Sequence, residues 1–167
     1  MEEIAIDIFE WFGRYLSKSW AVFLTAWLPF AELRLAIPLG ISMGLSPLKV
    51  FFLGITGNMV PVIPLLFLLK PIQIFLEKNS RLMARFFAWL EGRTYRKSDK
   101  VDRYGALGLI LFTAVPLPTT GAWTASLAAI LFKIKFKYAF PAILVGVLLA
   151  GIIVTLLATF TSGLFVN

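Results

Sequence analysis

Four apolar stretches dominate this chain, and each is long enough to cross a lipid bilayer. They cover roughly residues 19–44, 48–69, 105–132 and 138–162. The hydrocarbon core of a bilayer is about 30 Å thick and a helix rises about 1.5 Å per residue, so about 20 apolar residues suffice. Hydrophobic residues make up 59% of the chain and charged residues only 15%, unlike a soluble domain. The sequence therefore predicts an all-α integral membrane protein.

The chain contains neither cysteine nor histidine. It cannot form a disulfide framework, a thiolate site, an imidazole-ligated metal site or a histidine-dependent catalytic triad. We see no nucleophile with an acid-base partner and expect no enzyme activity, no cofactor and no metal. The net charge is +7, but the basic residues cluster between apolar stretches rather than among stacking aromatics. We therefore expect membrane lipids, and no nucleic acid, as partners.

Two of the four stretches carry groups at their centres that lipid does not tolerate. The first reads WLPFAELRLAIPLG, with Pro29, Glu32, Arg34 and Pro38 near mid-depth, and the third reads FTAVPLPTTGAW. A proline lacks the backbone donor and clashes with the preceding turn, so these sequences predict broken helices. Each arm would have about 10–13 residues, or about 15–20 Å, which predicts a re-entrant hairpin that reaches the midplane and returns.

Each hairpin follows a segment with amphipathic helical spacing. In a helix over residues 4–16, one face would be apolar and the opposite face mainly acidic. In a helix over residues 70–103, one face would be apolar and the opposite face mainly basic. We expect both segments to form helices on the membrane surface.

An internal repeat relates the two halves of the chain, about residues 1–69 and 70–167. With an offset of 88 or 89 residues, three landmarks coincide in order: Arg14-Tyr15 with Arg103-Tyr104, Thr25-Ala26 with Thr113-Ala114, and Lys49 with Lys137. We expect a single membrane domain with an inverted-topology repeat. Each half would be a surface amphipathic helix, a re-entrant helical hairpin and a transmembrane helix.

The basic residues are distributed unevenly along this arrangement. If both hairpins return to their own side, one side carries twelve Lys and Arg residues and the other carries three. Because cytoplasmic loops are enriched in Lys and Arg, residues 70–103 should be cytoplasmic, with both termini outside the cell membrane. Four full spans would give eleven against four. The charge count therefore barely separates the two arrangements, and the broken midpoints favour the hairpins.

Glu32 and Arg34 give the sharpest functional signal, because a charge at the centre of a membrane helix costs about 2.5–3.5 kcal/mol. One interpretation is that they pair with each other or cap a broken helix end, although residues i and i+2 do not face each other on a helix. The other is that Glu32 binds a proton or cation and Arg34 an anionic head group. Because it follows Pro29, Glu32 should lie in the first turn of the returning half-helix.

The second hairpin offers further polar groups. Thr119 or Thr120 is a candidate N-cap for a half-helix that begins at Gly121, and its free amides would form an anion-friendly tip. The segment from Pro118 to Gly121 is equally compatible with a simple capped turn. Trp123 either lines a cavity or packs in the core.

Asn58 is a polar residue in the middle of the second apolar stretch, beside Gly57, Pro61 and Pro64. These neighbours predict a kinked helix with a polar contact. Whether Asn58 lies at the hairpin tips is open from the sequence.

Three segments, ELRLAIPLG, GNMVPVIP and PLPTTGAW, resemble the small multidrug export family, and the resemblance covers nearly the whole chain. More remotely, the arrangement is similar to the DedA and VTT membrane proteins. That similarity implies a hairpin-containing inverted repeat and translocation of undecaprenyl phosphate or other lipids. The DedA-like second hairpin carries an arginine after its proline, whereas this chain has Leu117, Thr119 and Thr120 there. Lipid-phosphate recognition by that arginine is therefore not implied.

The sequence thus predicts a secondary transporter or flippase for a small amphipathic or lipid-phosphate substrate. Glu32 would be a protonation-coupled site, and the two tips would form the binding site. The alternatives are a non-transporting membrane scaffold, which should tolerate loss of Glu32 and Arg34, and an ion channel, which should conduct without saturating. Two spans and two hairpins leave the broken tips poorly shielded, so we also expect a homodimer.

Overall fold

The computed structural model describes residues 2–82, 84–85, 88, 99–115, 121–132 and 134–165. Within these ranges the chain is helical with short connections and has no strand, as predicted. Eight helices have defined bounds in this part of the chain: α1 Glu2–Tyr15, α2 Lys18–Trp27, α3 Glu32–Ser42, α4 Pro47–Met59, α5 Val62–Asn79, α6 Asp99–Ala114, α7 Ala122–Leu131 and α8 Phe136–Phe165.

The first predicted break separates α2 from α3. The two helices have 10 and 11 residues and pack against each other. At about 1.5 Å per residue they are about 15 and 17 Å long, roughly half the hydrocarbon thickness. Pro38, also predicted near the break, lies inside α3 without ending it. Packing of α3 on α2, α4 and α8 offsets the hydrogen bond that this proline removes.

Two helices also flank the second predicted break. α6 ends at Ala114, α7 begins at Ala122, and the two pack against each other. The intervening residues 116–120 lie outside the described residues, and so do the site predictions for Pro118, Thr119 and Thr120.

Two segments of the described chain are long and apolar enough to cross a membrane. They are Pro47–Leu68 and Phe136–Thr161, with mean hydropathies of 2.0 and 2.7. The first consists of α4 and the beginning of α5, which are separated at Val60 and Pro61. Because prolines supply no amide donor, the helical hydrogen bonding is interrupted there. The helix is thus interrupted two residues after Asn58, close to the position at which the sequence predicts a kink.

α5 differs from the prediction, because it continues to Asn79 instead of ending near residue 69. Its sequence contains no glycine, and Pro71 lies within the helix without ending it. The apolar span therefore passes into the amphipathic segment as one helix. A separate surface helix does not begin at residue 70, and residues 89–98 of that predicted helix lie outside the described part of the chain.

Small residues allow the helices to approach closely. A Cβ at Gly57 of α4 would collide with the carbonyl of Phe23 in α2. A Cβ at Gly146 of α8 would lie 2.5 Å from Cβ of Thr113 and 2.9 Å from the carbonyl oxygen of Ile110, both in α6. Close contact at small residues is characteristic of helix packing in membranes.

The outer surface is strongly apolar. On α8, large side chains that are more than one third exposed form a long face: Val145, Leu148, Leu149, Ile152, Ile153, Leu156, Leu157 and Phe160. An exposed apolar surface of this extent needs lipid or protein around it. Together with the two candidate spans, it identifies a membrane protein whose core is built mainly from alanines and β-branched residues.

Candidate functional site

Glu32 begins α3 and is only 6% exposed. Its φ angle is +50°, and it is the one non-glycine residue in the described chain with a positive φ. Its amide donates to the carbonyl of Leu28 at 3.0 Å. The left-handed conformation takes Glu32 out of regular helical geometry at the tip, where α3 starts. A strained residue of this kind is a reason to look for function, and its contacts supply one.

The Glu32 carboxylate lies at the N-terminus of α7, in the other half of the chain. The Trp123 amide donates to Oε1 at 3.4 Å, and the Ala122 amide also hydrogen-bonds to the carboxylate. Gly121 precedes α7, and a Cβ there would collide with the same carboxylate. The first amides of a helix have no partner within it and carry the positive end of its dipole. Glu32 therefore supplies the capping oxygen for α7.

This arrangement corrects the predicted N-cap at Thr119 or Thr120. The N-cap is Gly121, and α7 begins one residue after it. Because glycine has no side-chain oxygen, the acceptor comes from a distant part of the chain. The helix N-terminus that the sequence predicts to be anion-friendly faces the chain's own Glu32 carboxyl group.

Arg34 and Asn58 complete a polar cluster around this carboxylate. Nη2 of Arg34 lies 3.8 Å from Oε2 of Glu32. Two residues at positions i and i+2 do not face each other on a helix, so a contact between Glu32 and Arg34 requires a non-helical residue. The left-handed backbone of Glu32 meets that requirement. The Asn58 side chain, on α4, also hydrogen-bonds to the carboxylate and is 1% exposed. Asn58 therefore lies beside the first residue of α3 and the N-terminus of α7.

A narrow cleft surrounds the cluster, and both halves of the chain contribute to it. The space inside it is too narrow to admit a water molecule. Glu32 and Arg34 are the charged residues of its lining, and the others are Leu33, Asn58, Thr113, Gly121, Ala122, Val147 and Ala150. A ligand larger than a proton would therefore require the helices around the cleft to separate.

Trp123 makes a second connection between α7 and the first half of the chain, in addition to the contact with Glu32. Its indole Nε1 donates to the carbonyl of Trp27 at 3.1 Å. Trp27 is the last residue of α2, where carbonyls lack partners within the helix. Trp123 does not line the cleft. Trp123 is half-buried and lies outside the hydrophobic core, so in the structure it acts as a bridge between α7 and the end of α2.

Five of the eight predicted site residues therefore lie together: Glu32, Arg34, Asn58, Gly121 and Trp123. Sequence reasoning missed Thr113 as a lining residue, although its match with Thr25 in the repeat was a usable signal. It also missed the carbonyl of Trp27, because every residue has a backbone carbonyl and the sequence does not show which one accepts a hydrogen bond.

Comparison with known proteins gives one family. A family model described as "Putative small multi-drug export protein" matches residues 32–153, about three quarters of the chain. The matched region begins at Glu32 and includes Asn58, α7 and more than half of α8. No curated protein and no solved structure shows significant similarity to the chain.

Proposed function

Because this chain belongs to the small multi-drug export protein family, we propose that it is a secondary transporter or flippase for a small amphipathic or lipid-linked substrate. The substrate site lies between the two hairpins. One observation carries the proposal: the Glu32 carboxylate comes from the first hairpin and is held by the N-terminus of the second. Any movement that separates the hairpins must change the surroundings of this carboxylate.

A common spacing of 89 residues between matching features of the two halves supports the proposal. α4 begins at Pro47 and α8 at Phe136, 89 residues later, and Gly57 and Gly146 have the same separation. Contacts between the halves run in both directions, because α3 packs on α8 of the second half and α7 packs on α5 of the first. Inverted repeats of this kind allow one half to rock against the other around a central site.

The helix lengths support re-entrant hairpins. α2, α3 and α7 have 10, 11 and 10 residues, each too short to cross about 30 Å of hydrocarbon. Non-helical backbone at membrane depth is tolerated only inside protein or a wet cavity. The buried position of Glu32 and Gly121 meets this requirement, so we place both tips near the bilayer midplane.

In this proposal Glu32 exchanges a proton during the transport cycle. Separation of the hairpins would take the α7 amides away from the carboxylate and alter its solvation. The proton affinity of a carboxylate depends on its hydrogen bonds, nearby charges and burial. Among the residues that line the cleft, Arg34 is the other charged group. Opening and closing would therefore couple substrate movement to protonation.

The variant Glu32→Gln tests this coupling, because it keeps size and hydrogen bonding but removes the titration. A thermal-shift screen of the purified protein against lipid phosphates and cationic amphiphiles would first identify a ligand. Transport of that ligand into proteoliposomes would then be measured across neutral pH. We expect Glu32→Gln to fold and insert normally but to lose the pH dependence of transport.

The matched control is Glu10→Gln, which neutralises an exposed carboxylate on α1 and should keep the wild-type profile. If Glu32→Gln transported with the wild-type pH profile, Glu32 would be a structural cap and the coupling hypothesis would be wrong. A non-saturating conductance would indicate a channel. Absence of ligand binding and of transport would indicate a scaffold.

A further inference from the structure

Asn58 carries a buried acceptor that none of the contacts described so far uses. Its carbonyl oxygen Oδ1 is buried and has no hydrogen-bond partner, so the bond to Glu32 is donated by its Nδ2. The hydroxyl of Thr113, another lining residue, already donates to the carbonyl of Leu109 at 2.7 Å. A buried acceptor left unpaired is destabilising. Its presence beside a carboxylate suggests a donor that arrives in another state.

One cation that carries N–H groups, the guanidinium of Arg34, already lies beside the Glu32 carboxylate. Nη2 of Arg34 lies 3.8 Å from Oε2 of Glu32. Strong arginine–carboxylate pairs are often bidentate, with N to O distances of about 2.7–2.9 Å. The Arg34–Glu32 contact is therefore a weak one, and a better-placed cation could compete for the same carboxylate oxygen.

We propose that the cleft binds an ammonium group that carries at least one N–H. The charge pairs with Glu32 in place of Arg34, and the N–H donates to Oδ1 of Asn58. A quaternary ammonium supplies the charge but leaves Oδ1 unpaired, whereas an anion is repelled by the carboxylate. This inference rests on the proposed function and names the substrate class of that site.

Two ions that differ in one methyl group test it: benzyldimethylammonium, which has an N–H, and benzyltrimethylammonium, which does not. Binding to the purified protein in phosphatidylcholine nanodiscs would be measured by calorimetry at neutral pH. We expect wild type to bind the N–H ion about tenfold more tightly, as a hydrogen bond to a charged group would give. Asn58→Leu should bind both ions alike, while Asn58→Asp should keep the preference.

The control variant Thr155→Val removes another buried, unpaired oxygen that lies outside the cleft, and it should keep the preference. Equal binding of the two ions by wild type would overturn the proposal even if Asn58→Leu failed to fold. A preference that survives in folded Asn58→Leu would also overturn it. Binding needs no gradient, so binding without transport in proteoliposomes would count against the proposed function alone.

Nanodiscs that contain phosphatidylethanolamine would identify the source of the ammonium, since this head group carries N–H donors. Weaker binding of benzyldimethylammonium there in wild type, but not in Asn58→Leu, would support a lipid amine as the natural occupant. Unchanged binding in both membranes would support a soluble amine. Tight binding of sodium or potassium ions that excludes the probe would overturn the proposal in favour of a metal-ion site.

Discussion

Glu32 reaches the N-terminus of α7 because two positions far apart in the chain are both unusual. Its own backbone is left-handed, and Gly121 leaves the space that the carboxylate fills. The sequence predicted a functional Glu32 from its charge within an apolar stretch. It could not predict that Glu32 binds the N-terminus of α7. Helix caps are normally sought among residues next to the helix, whereas the Trp123 amide lies 91 positions from Glu32 in the chain. Such a contact depends on how whole helices pack.

The substitution Gly121→Ala should push the carboxylate away from α7 and destabilise the protein. Overpacking of this kind typically costs about 1–3 kcal/mol. The backbone at Gly121 is extended, with φ of 162°, so alanine is tolerated there apart from the collision. In a Glu32→Ala background the collision is absent, and Gly121→Ala should cost little. Thermal unfolding of the four variants forms a double-mutant cycle, and purely additive effects would contradict the contact.

At the scale of the helices, the sequence predicted interruptions well and continuations poorly. Proline and the charged pair marked the ends of α2 and α6 and the beginnings of α3 and α7. The change from an apolar to an amphipathic pattern near residue 70 did not mark a helix end, because a change in which residues are polar leaves the backbone hydrogen bonds of a helix intact, and even Pro71 does not end α5. The glycines at helix contacts were also hidden, since spacing alone does not say which helices are neighbours.

Those glycines allow a test of helix packing with an internal control. Gly57→Ala and Gly146→Ala should each lower stability by about 1–3 kcal/mol, because the added Cβ meets helix backbone or a β-branched side chain. Gly108→Ala in α6 places its Cβ where no atom lies within 4 Å, so it should be neutral or raise stability by up to about 1 kcal/mol. Thermal unfolding in one detergent measures all three. A loss at Gly108 equal to that at Gly57 would show that helix contact is not the cause.

At the scale of the whole molecule, hairpins and full spans place the same residues on different sides of the membrane. Lys49 lies near the beginning of α4 and Lys137 near the beginning of α8, and both are exposed. With two returning hairpins, each following helix crosses in the opposite sense, so the two lysines lie on opposite sides. With four full spans, they lie on the same side. The basic residues alone barely distinguish these cases, so topology requires a direct measurement.

Cysteine labelling makes that measurement directly, because the native chain has no cysteine. We expect Lys49→Cys to react with a membrane-impermeant maleimide in intact cells and Lys137→Cys to react only after permeabilisation. The physical reason is that twelve Lys and Arg residues on one side against three on the other should fix a single orientation with the basic loop in the cytoplasm. Labelling of both positions from outside would refute the hairpins in favour of full spans. Partial labelling of each from outside would show that the protein inserts in both orientations.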